Sequence, residues 1–382
     1  MTVRKQKSIA FIVTSPRIFL WLESLICKLD QTFNVTLVAD FTSTDLNLDL
    51  LPDSVELINL EIQRDINLFR DLISLYELIR LFKKEKFLIV HSITPKAGLL
   101  VALSSFLMRI PIRIHTFTGQ VWLTQKGLKR LILRICDQII SYLSTLILVD
   151  SPSQEEFLLK ERIIKKSSSL VIGKGSISGV DTGRFTFDSL TRTQLRKKLN
   201  PSESKIILFI GRLKKDKGIF DLVAAYRILK DEGLKVALWI VGPDEENLNA
   251  KLYDNDDLVV IPYTSEPEKY MIAADILCLP SYREGFGNVV IEAAACGVPS
   301  VVNKIYGLTD AVIENETGLF AEPRSVVSLV NKLRKVLEDD VLRLELGKNA
   351  SERACKDFSQ EKHNDLQIKV YEELISKNCE KS

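Results

Sequence analysis

The chain has 382 residues, with 52 Lys+Arg against 50 Asp+Glu, for a net charge of +2. Hydrophobic residues make up 46% and charged residues 27%. That is ordinary globular composition at two-domain length. It excludes a disordered tail, a coiled coil, a collagen-like fibre and a disulfide miniprotein, and the near-neutral balance argues against a nucleic-acid binder.

The start, Met1 to Ser15, is basic, but its apolar run Ile9–Val13 is too short for a secretory leader and reads as a buried first strand. Short apolar runs follow at Val35–Val38, Leu88–Val90, Ile112–His115, Thr145–Val149 and Leu170–Ile172. A second series comprises Ile206–Ile210, Val236–Val241, Leu258–Ile261, Ile276–Leu279 and Ser300–Val302. Amphipathic helical patterns such as Leu68–Phe82 and Ile219–Lys230 lie between them. Continuous Val/Ile/Leu runs, rather than alternation, point to strands covered on both faces, hence parallel sheets with crossover helices. The prediction is α/β: two doubly wound domains, residues 1–190 and 191–360, with a last helix from about 360 to 382 returning to the first. The polar segment Phe187–Ser204, ending in Asn200-Pro201-Ser202-Glu203-Ser204, reads as the linker.

The six cysteines show no paired spacing and no zinc pattern, as expected of a reducing compartment. No apolar run approaches the length of a spanning helix. A cytoplasmic protein is expected.

The sharpest motif is Pro280-Ser281-Tyr282-Arg283-Glu284-Gly285-Phe286-Gly287-Asn288, running through to Glu292. A strand enters a turn with two glycines, and a helix begins near Asn288. Such a turn lets a ligand approach the backbone, and the helix N-terminus is an anion site. Glu292, one turn inside, is placed to accept two hydrogen bonds from a vicinal diol such as a ribose. A second motif, Gly211-Arg212-Leu213-Lys214-Lys215-Asp216-Lys217-Gly218, follows the strand 206–210. Carboxyl ends of strands are where open α/β sheets bind ligands, and Arg212 and Lys217 suit phosphate oxygens.

Two look-alikes carry less. Gly173-Lys174-Gly175-Ser176-Ile177-Ser178-Gly179 departs from a dinucleotide fingerprint in its third glycine and lacks a following helix. Asp254-Asn255-Asp256 imitates a metal-binding carboxylate pair but sits in a polar turn. No metal and no cofactor are expected.

Residues 86–136 contain eight cations and no carboxylate: Lys86, Lys96, Arg109, Arg113, Lys126, Lys129, Arg130 and Arg134. The remaining 44 cations and 50 carboxylates carry −6. Two of the three histidines, His91 and His115, fall in this basic stretch. Residues 126–139 read as an amphipathic helix, with Leu128, Leu131, Ile132, Ile135 and Ile139 on one face and Lys126, Arg130 and Arg134 adjoining. That helix suits either the packed side of the domain or an anionic membrane surface.

At the loops 211–218, 280–287 and Glu284-x7-Glu292 the chain resembles glycosyltransferase family 4, the retaining group with the two-domain GT-B fold. The stretches Val90–Gly98 and Ile114–Gln120 resemble a subgroup that builds bacterial surface polysaccharides on a polyprenyl-diphosphate lipid. The resemblance implies two Rossmann-like domains facing a cleft and a nucleotide-sugar donor, most simply UDP-linked. It also implies a lipid-linked saccharide acceptor and peripheral work at the inner membrane face. By resemblance, Gly211, Arg212, Lys217, Glu284, Gly285, Phe286, Gly287, Asn288 and Glu292 form the donor site. Ser15, His91, Thr94, Lys96, Thr118, Gly119 and Gln120 would serve the acceptor. Arg212, Lys217, Glu284 and His115 would carry the chemistry. The chain departs from many relatives at Thr14-Ser15-Pro16-Arg17, where they have a glycine-rich loop, and at Thr118, where they have a histidine. The alternatives are a nucleotide-sugar epimerase of similar fold and a non-catalytic nucleotide-sugar-binding protein. An oxidoreductase is disfavoured by the missing fingerprint.

Overall fold

The computed structural model describes residues 7–42, 50–199, 203–248 and 258–380. Of the features read above, Asn200-Pro201-Ser202 of the linker and Asp254-Asn255-Asp256 lie outside them. The chain forms two compact units, one running to Ser178 and resuming at Glu361, the other spanning Gly179–Gln360.

The first unit holds strands β1 (Lys7–Ile12), β2 (Phe33–Ala39), β3 (Glu56–Asn59), β4 (Ile89–Ser92), β5 (Ile112–Phe117), β6 (Leu146–Val149) and β7 (Ser169–Val171). They make one parallel sheet in the order β3-β2-β1-β4-β5-β6-β7. The second unit holds β8 (Lys205–Ile210), β9 (Val236–Val241), β10 (Leu258–Ile261), β11 (Ile276–Leu279), β12 (Ser300–Asn303) and β13 (Gly318–Ala321). Its parallel order is β10-β9-β8-β11-β12-β13. In each sheet the winding reverses beside the first strand, between β1 and β4 and between β8 and β11. Crevices at such reversals, at the carboxyl ends, are the ligand sites of doubly wound sheets.

The central strands are buried on both sides, which is why they read as unbroken apolar runs: β8 and β9 contribute Ile207, Phe209, Leu238 and Ile240, all fully buried. Two strands are not legible this way. β3 is an edge strand of sequence Glu-Leu-Ile-Asn with mostly exposed residues, and β13 is four residues of Gly-Leu-Phe-Ala.

The expected linker is structured. Ser189–Leu199 is a helix, anchored on Asp275, which is 3% exposed. Arg192 and Arg196 reach its carboxylate at 2.7 and 3.0 Å, and Ile206 N–H donates to it at 2.7 Å. The helix looks like a linker in sequence because guanidinium–carboxylate forks hold it and only Leu195 and Leu199 pack on the core. The division between units falls before it: Val180 N–H donates to Phe358 O, and Gln360 N–H donates to Val180 O. Residues 179–190 therefore belong to the second unit rather than the first.

The last helix, Gln360–Cys379, lies in the first unit. Its Tyr371 is fully buried in the core formed by β1, β2 and the helix Phe19–Leu29. Lys28–Asp365 at 2.7 Å and Asn364–Ser24 at 2.9 Å add polar ties. The glycine-rich segment 173–179 is a loop after β7, turned by Gly175 N–H donating to Ile172 O, and no helix follows it.

Candidate functional site

In the second unit the loop after β8 is pinned at both ends. Gly211 N–H donates to Val241 O, and Leu213, fully buried, donates its N–H to Pro243 O. Arg212, between these anchors, and Lys214, just past them, share Glu245, at 3.3 and 2.8 Å. A single 3-10 turn, Lys215–Lys217, ends on Gly218, and the helix Ile219–Asp231 starts there.

The loop after β11 docks against this turn. Asn303 from β12 donates its amide to the carbonyls of Pro280 (2.7 Å) and Ser281 (3.2 Å). Tyr282 N–H donates to Asp216 O at 2.9 Å, the Tyr282 hydroxyl donates to Asp221 at 2.7 Å, and Arg283 pairs with Asp216 at 2.9 Å. Burial alone would raise the Asp216 carboxyl, but the Arg283 guanidinium beside it holds it below its ordinary value. Lys217 Nζ lies 2.6 Å from Glu284 Oε1, both mostly buried. Gly218, at φ +70°, sits so close under the Pro280 carbonyl that a Cβ would overlap it. The two loops predicted separately from the sequence are thus one body, joined through Asp216, Arg283 and Tyr282, with Asn303 bracing the second loop from β12. None of these four was singled out in sequence, because their partners lie tens of residues away.

Gly287, at φ +89°, caps the helix Asn288–Ala295, so the N-terminal turn of that helix follows directly on Glu284 and Gly285 in the chain. Phe286 departs from expectation: it is 1% exposed and packs on Phe358 at 5.2 Å. Its side chain wedges the loop into the core and cannot line a ligand. Glu292 is partly buried, and its carboxyl has no hydrogen-bond partner among the described residues. Burial pushes it up to about 7, eased by Arg184 and reinforced by Glu268.

In the first unit the expected acceptor residues lie at the ends of β1, β4 and β5. Thr94 Oγ1 accepts from Thr14 N–H at 3.1 Å, tying those two loops. Ser15 precedes a short 3-10 turn, Pro16–Ile18. His91 is corrected: it is fully buried, with Nδ1 bonded to Tyr371 (2.8 Å) and Nε2 to Thr116 (2.7 Å). Both ring nitrogens are committed inside, and burial lowers it to about 3. It is a core residue, not an acceptor ligand. His115 bonds Ser92 Oγ through Nδ1 at 2.9 Å. Its ring lies flat against Gly98, where any Cβ would collide with it, and burial lowers it to about 3, so it is neutral. Gln120 is buried and accepts from Gln154 at 3.1 Å. Gly119, at φ +102°, turns the chain between it and the partly buried Thr118.

The basic stretch is less free than its sequence suggests. Lys96 is held by Asp71 at 2.5 Å and by the Asp65 carbonyl. Arg113 donates to the carbonyls of Leu143 and Ile110, each at 2.7 Å. Arg134 pairs with Glu161 at 3.1 Å. These three serve the fold; Lys86, Arg109, Lys126, Lys129 and Arg130 remain exposed. Among the described residues no helix is long and apolar enough to cross a membrane.

Two parallel-sheet Rossmann-like units, each with its winding reversal beside the first strand, are the architecture of the GT-B fold. The comparisons agree. Residues 191–353 match the family model described as glycosyl transferases group 1. The capsular polysaccharide biosynthesis glycosyltransferase CapM of Staphylococcus aureus is 34% identical over 305 residues, covering 78% of this chain and 80% of that protein. The chain belongs to the group 1 glycosyl transferases. It is also 25% identical over 340 residues to the UDP-Gal:alpha-D-GlcNAc-diphosphoundecaprenol alpha-1,3-galactosyltransferase of Escherichia coli, covering 86% of each. Anabaena Alr3699/HepE, solved in complex with UDP and glucose, has the same fold at 18% identity, with a TM-score of 0.80 over 95% of this chain and 99% of that one.

Proposed function

We propose that the protein moves a hexose or N-acetylhexosamine, with retention, from a nucleotide-sugar to a saccharide carried on a polyprenyl diphosphate, in capsule or related surface-glycan synthesis. The second unit holds the donor and the first the acceptor. The observation that carries this reading is the single body made by loops 211–218 and 280–292, which sets two cations and a helix N-terminus at one strand-end crevice. The capsular and diphosphoundecaprenol activities in the relatives' names support the acceptor class, and the UDP in the galactosyltransferase's name and in the HepE complex supports a UDP-linked donor.

In this reading the Glu292 carboxylate accepts hydrogen bonds from the ribose diol. Arg212 and Lys217 meet the diphosphate. As the sugar–phosphate bond breaks, negative charge builds on the leaving diphosphate; fixed cations aimed at it stabilise the transition state more than the ground state. Lys217 then exchanges Glu284 for a phosphate oxygen, which frees the Glu284 carboxylate to face the sugar. His115, neutral at working pH, acts through hydrogen bonding and not as a standing cation. The protein's own cations do the work assigned elsewhere to a metal. The site of action is the cytoplasmic face of the membrane.

The test is incubation with a panel of UDP- and GDP-sugars and a synthetic polyprenyl-diphosphate sugar, with product mass as the readout. A new mass one hexose or N-acetylhexosamine larger, formed undiminished in EDTA, is expected. Donor consumption without any acceptor product, giving an epimer instead, would overturn the transferase mechanism; strict manganese dependence would overturn the metal-free one.

A further inference from the structure

Glu292 stands where three stretches of the second unit meet. Its own helix is Asn288–Ala295, and its carboxyl faces Glu268, in the first turn of the helix Pro267–Ala273, and Arg184. Arg184 is committed to Glu268. Its Nε and one terminal nitrogen donate to the same Glu268 oxygen, at 3.0 and 2.8 Å. That terminal nitrogen also donates to the Ser265 carbonyl at 2.5 Å. The backbone presents this side chain from a turn: Asp181 Oδ1 accepts from Gly183 N–H at 2.9 Å and from Arg184 N–H at 3.1 Å. The neighbouring Phe185 is buried in the core of the unit, with the Arg184 guanidinium 5.3 Å over its ring.

The other elements packed on the helix Asn288–Ala295 bring different chemistry. Asp340–Asp357 turns Leu346, Gly347, Ala350 and Ala354 inward. Leu308–Ala311 contributes Leu308 and Ala311, and its Asp310 interacts with Arg353. β11 brings the Cys278 thiol, which burial keeps protonated, and β12 has no ionisable residue. At the helix's own end the Cys296 thiol is pushed up to about 12 and is uncharged. The charge balance at Glu292 is thus set by one acid and one guanidinium that are bonded to each other. Two carboxylates that face each other hinder each other's ionisation, and a cation on one relieves the other.

We infer that Arg184 is a positioning residue for the diol-binding Glu292: bound to Glu268, it cancels the charge that would otherwise oppose the Glu292 carboxylate beneath a nucleotide ribose. The inference rests on the reading of Glu292 as the seat of the ribose diol. Sequence gave no signal for it, because the partners of Arg184 lie 81 and 84 residues further along the chain. Arg184 is 44% exposed, so water screens the pair and the effect of losing it is graded.

The experiment is calorimetric titration of the full chain with UDP from pH 5.5 to 9. Glu292→Gln supplies the profile in which only the nucleotide titrates. In Arg184→Ala the pH below which affinity falls should move up by about one pH unit. At pH 7 its dissociation constant should then be roughly fivefold above the parent's, and at pH 9 the two should agree. Arg184→Lys should restore most of the parent profile. Glu268→Gln should move the fall to lower pH, and it carries the test alone should Arg184→Ala fail to fold. The double variant Arg184→Ala/Glu268→Gln breaks the same tie but removes both charges, so its profile should return towards the parent's. A deficit in Arg184→Ala that is equal at every pH, an unmoved profile, or a double variant as impaired as the single one would overturn the inference. A Glu292→Gln profile identical to the parent's would instead overturn the diol reading itself, whatever the Arg184 variants do.

Discussion

Lys217 Nζ and Glu284 Oε1 are 2.6 Å apart, a bond that joins the loop after β8 to the loop after β11 across 67 residues of sequence. The cation aimed at the crevice is therefore already positioned by the protein. In the proposed reaction Lys217 leaves this carboxylate for a phosphate oxygen, so the pair holds the cation at the seam and must open before it acts.

Removing either crevice cation should strike turnover more than folding. Arg212→Ala and Lys217→Ala are each expected to lower kcat by about 10²–10³. Far-ultraviolet circular dichroism should be unchanged. Near-normal kcat in either variant would mean that the leaving diphosphate is stabilised elsewhere.

Gly218→Ala tests the seam between the loops. The new Cβ would overlap the Pro280 carbonyl, in a left-handed backbone, so a stability loss of about 2 kcal/mol or more is expected. Thermal unfolding reads it. The same shift should move Lys217 away from Glu284, so activity should fall even well below the unfolding temperature.

Glu292 predicts a pH dependence. Its carboxyl is raised from 4.5 to about 7, so between these values the folded protein holds a proton that the unfolded chain has lost. Stability from this group is complete below 4.5 and falls as pH rises through 7. Donor affinity should run the other way, since the ionised carboxylate accepts both hydrogen bonds. KM for the nucleotide-sugar should therefore rise as pH drops below 7. Glu292→Gln should flatten both profiles and raise KM by roughly tenfold; a pH profile unchanged in that variant would assign the titration to another group.

Asp275→Asn tests the anchoring of the helix Ser189–Leu199. Arg192 and Arg196 would lose their carboxylate in a mostly buried setting, which costs about 3–5 kcal/mol. Denaturant unfolding should report it. The effect of this variant on KM for the donor should be small, because the cluster lies at the strand's other end.

The sequence by itself determined the fold class, the two series of parallel strands and the two glycine-bearing loops after β8 and β11. Strands buried on both faces must be written as unbroken apolar runs, and glycines at 211, 218 and 287 mark turns that few other residues can make. Tertiary structure alone decided what each polar residue does. His91 and His115 have the same composition around them, yet one has both nitrogens bonded in the core and the other keeps only its Ser92 bond. Asp216, Arg283 and Asn303 became legible only when the loops met. The apolar stripe on the helix Gly127–Leu143 faces outward, with Leu128, Leu131, Ile132 and Ile135 exposed; its direction was likewise open, because periodicity fixes that a face exists and not which neighbour it turns towards. Local propensity is carried by adjacent residues; orientation and ion pairing depend on partners distant in sequence.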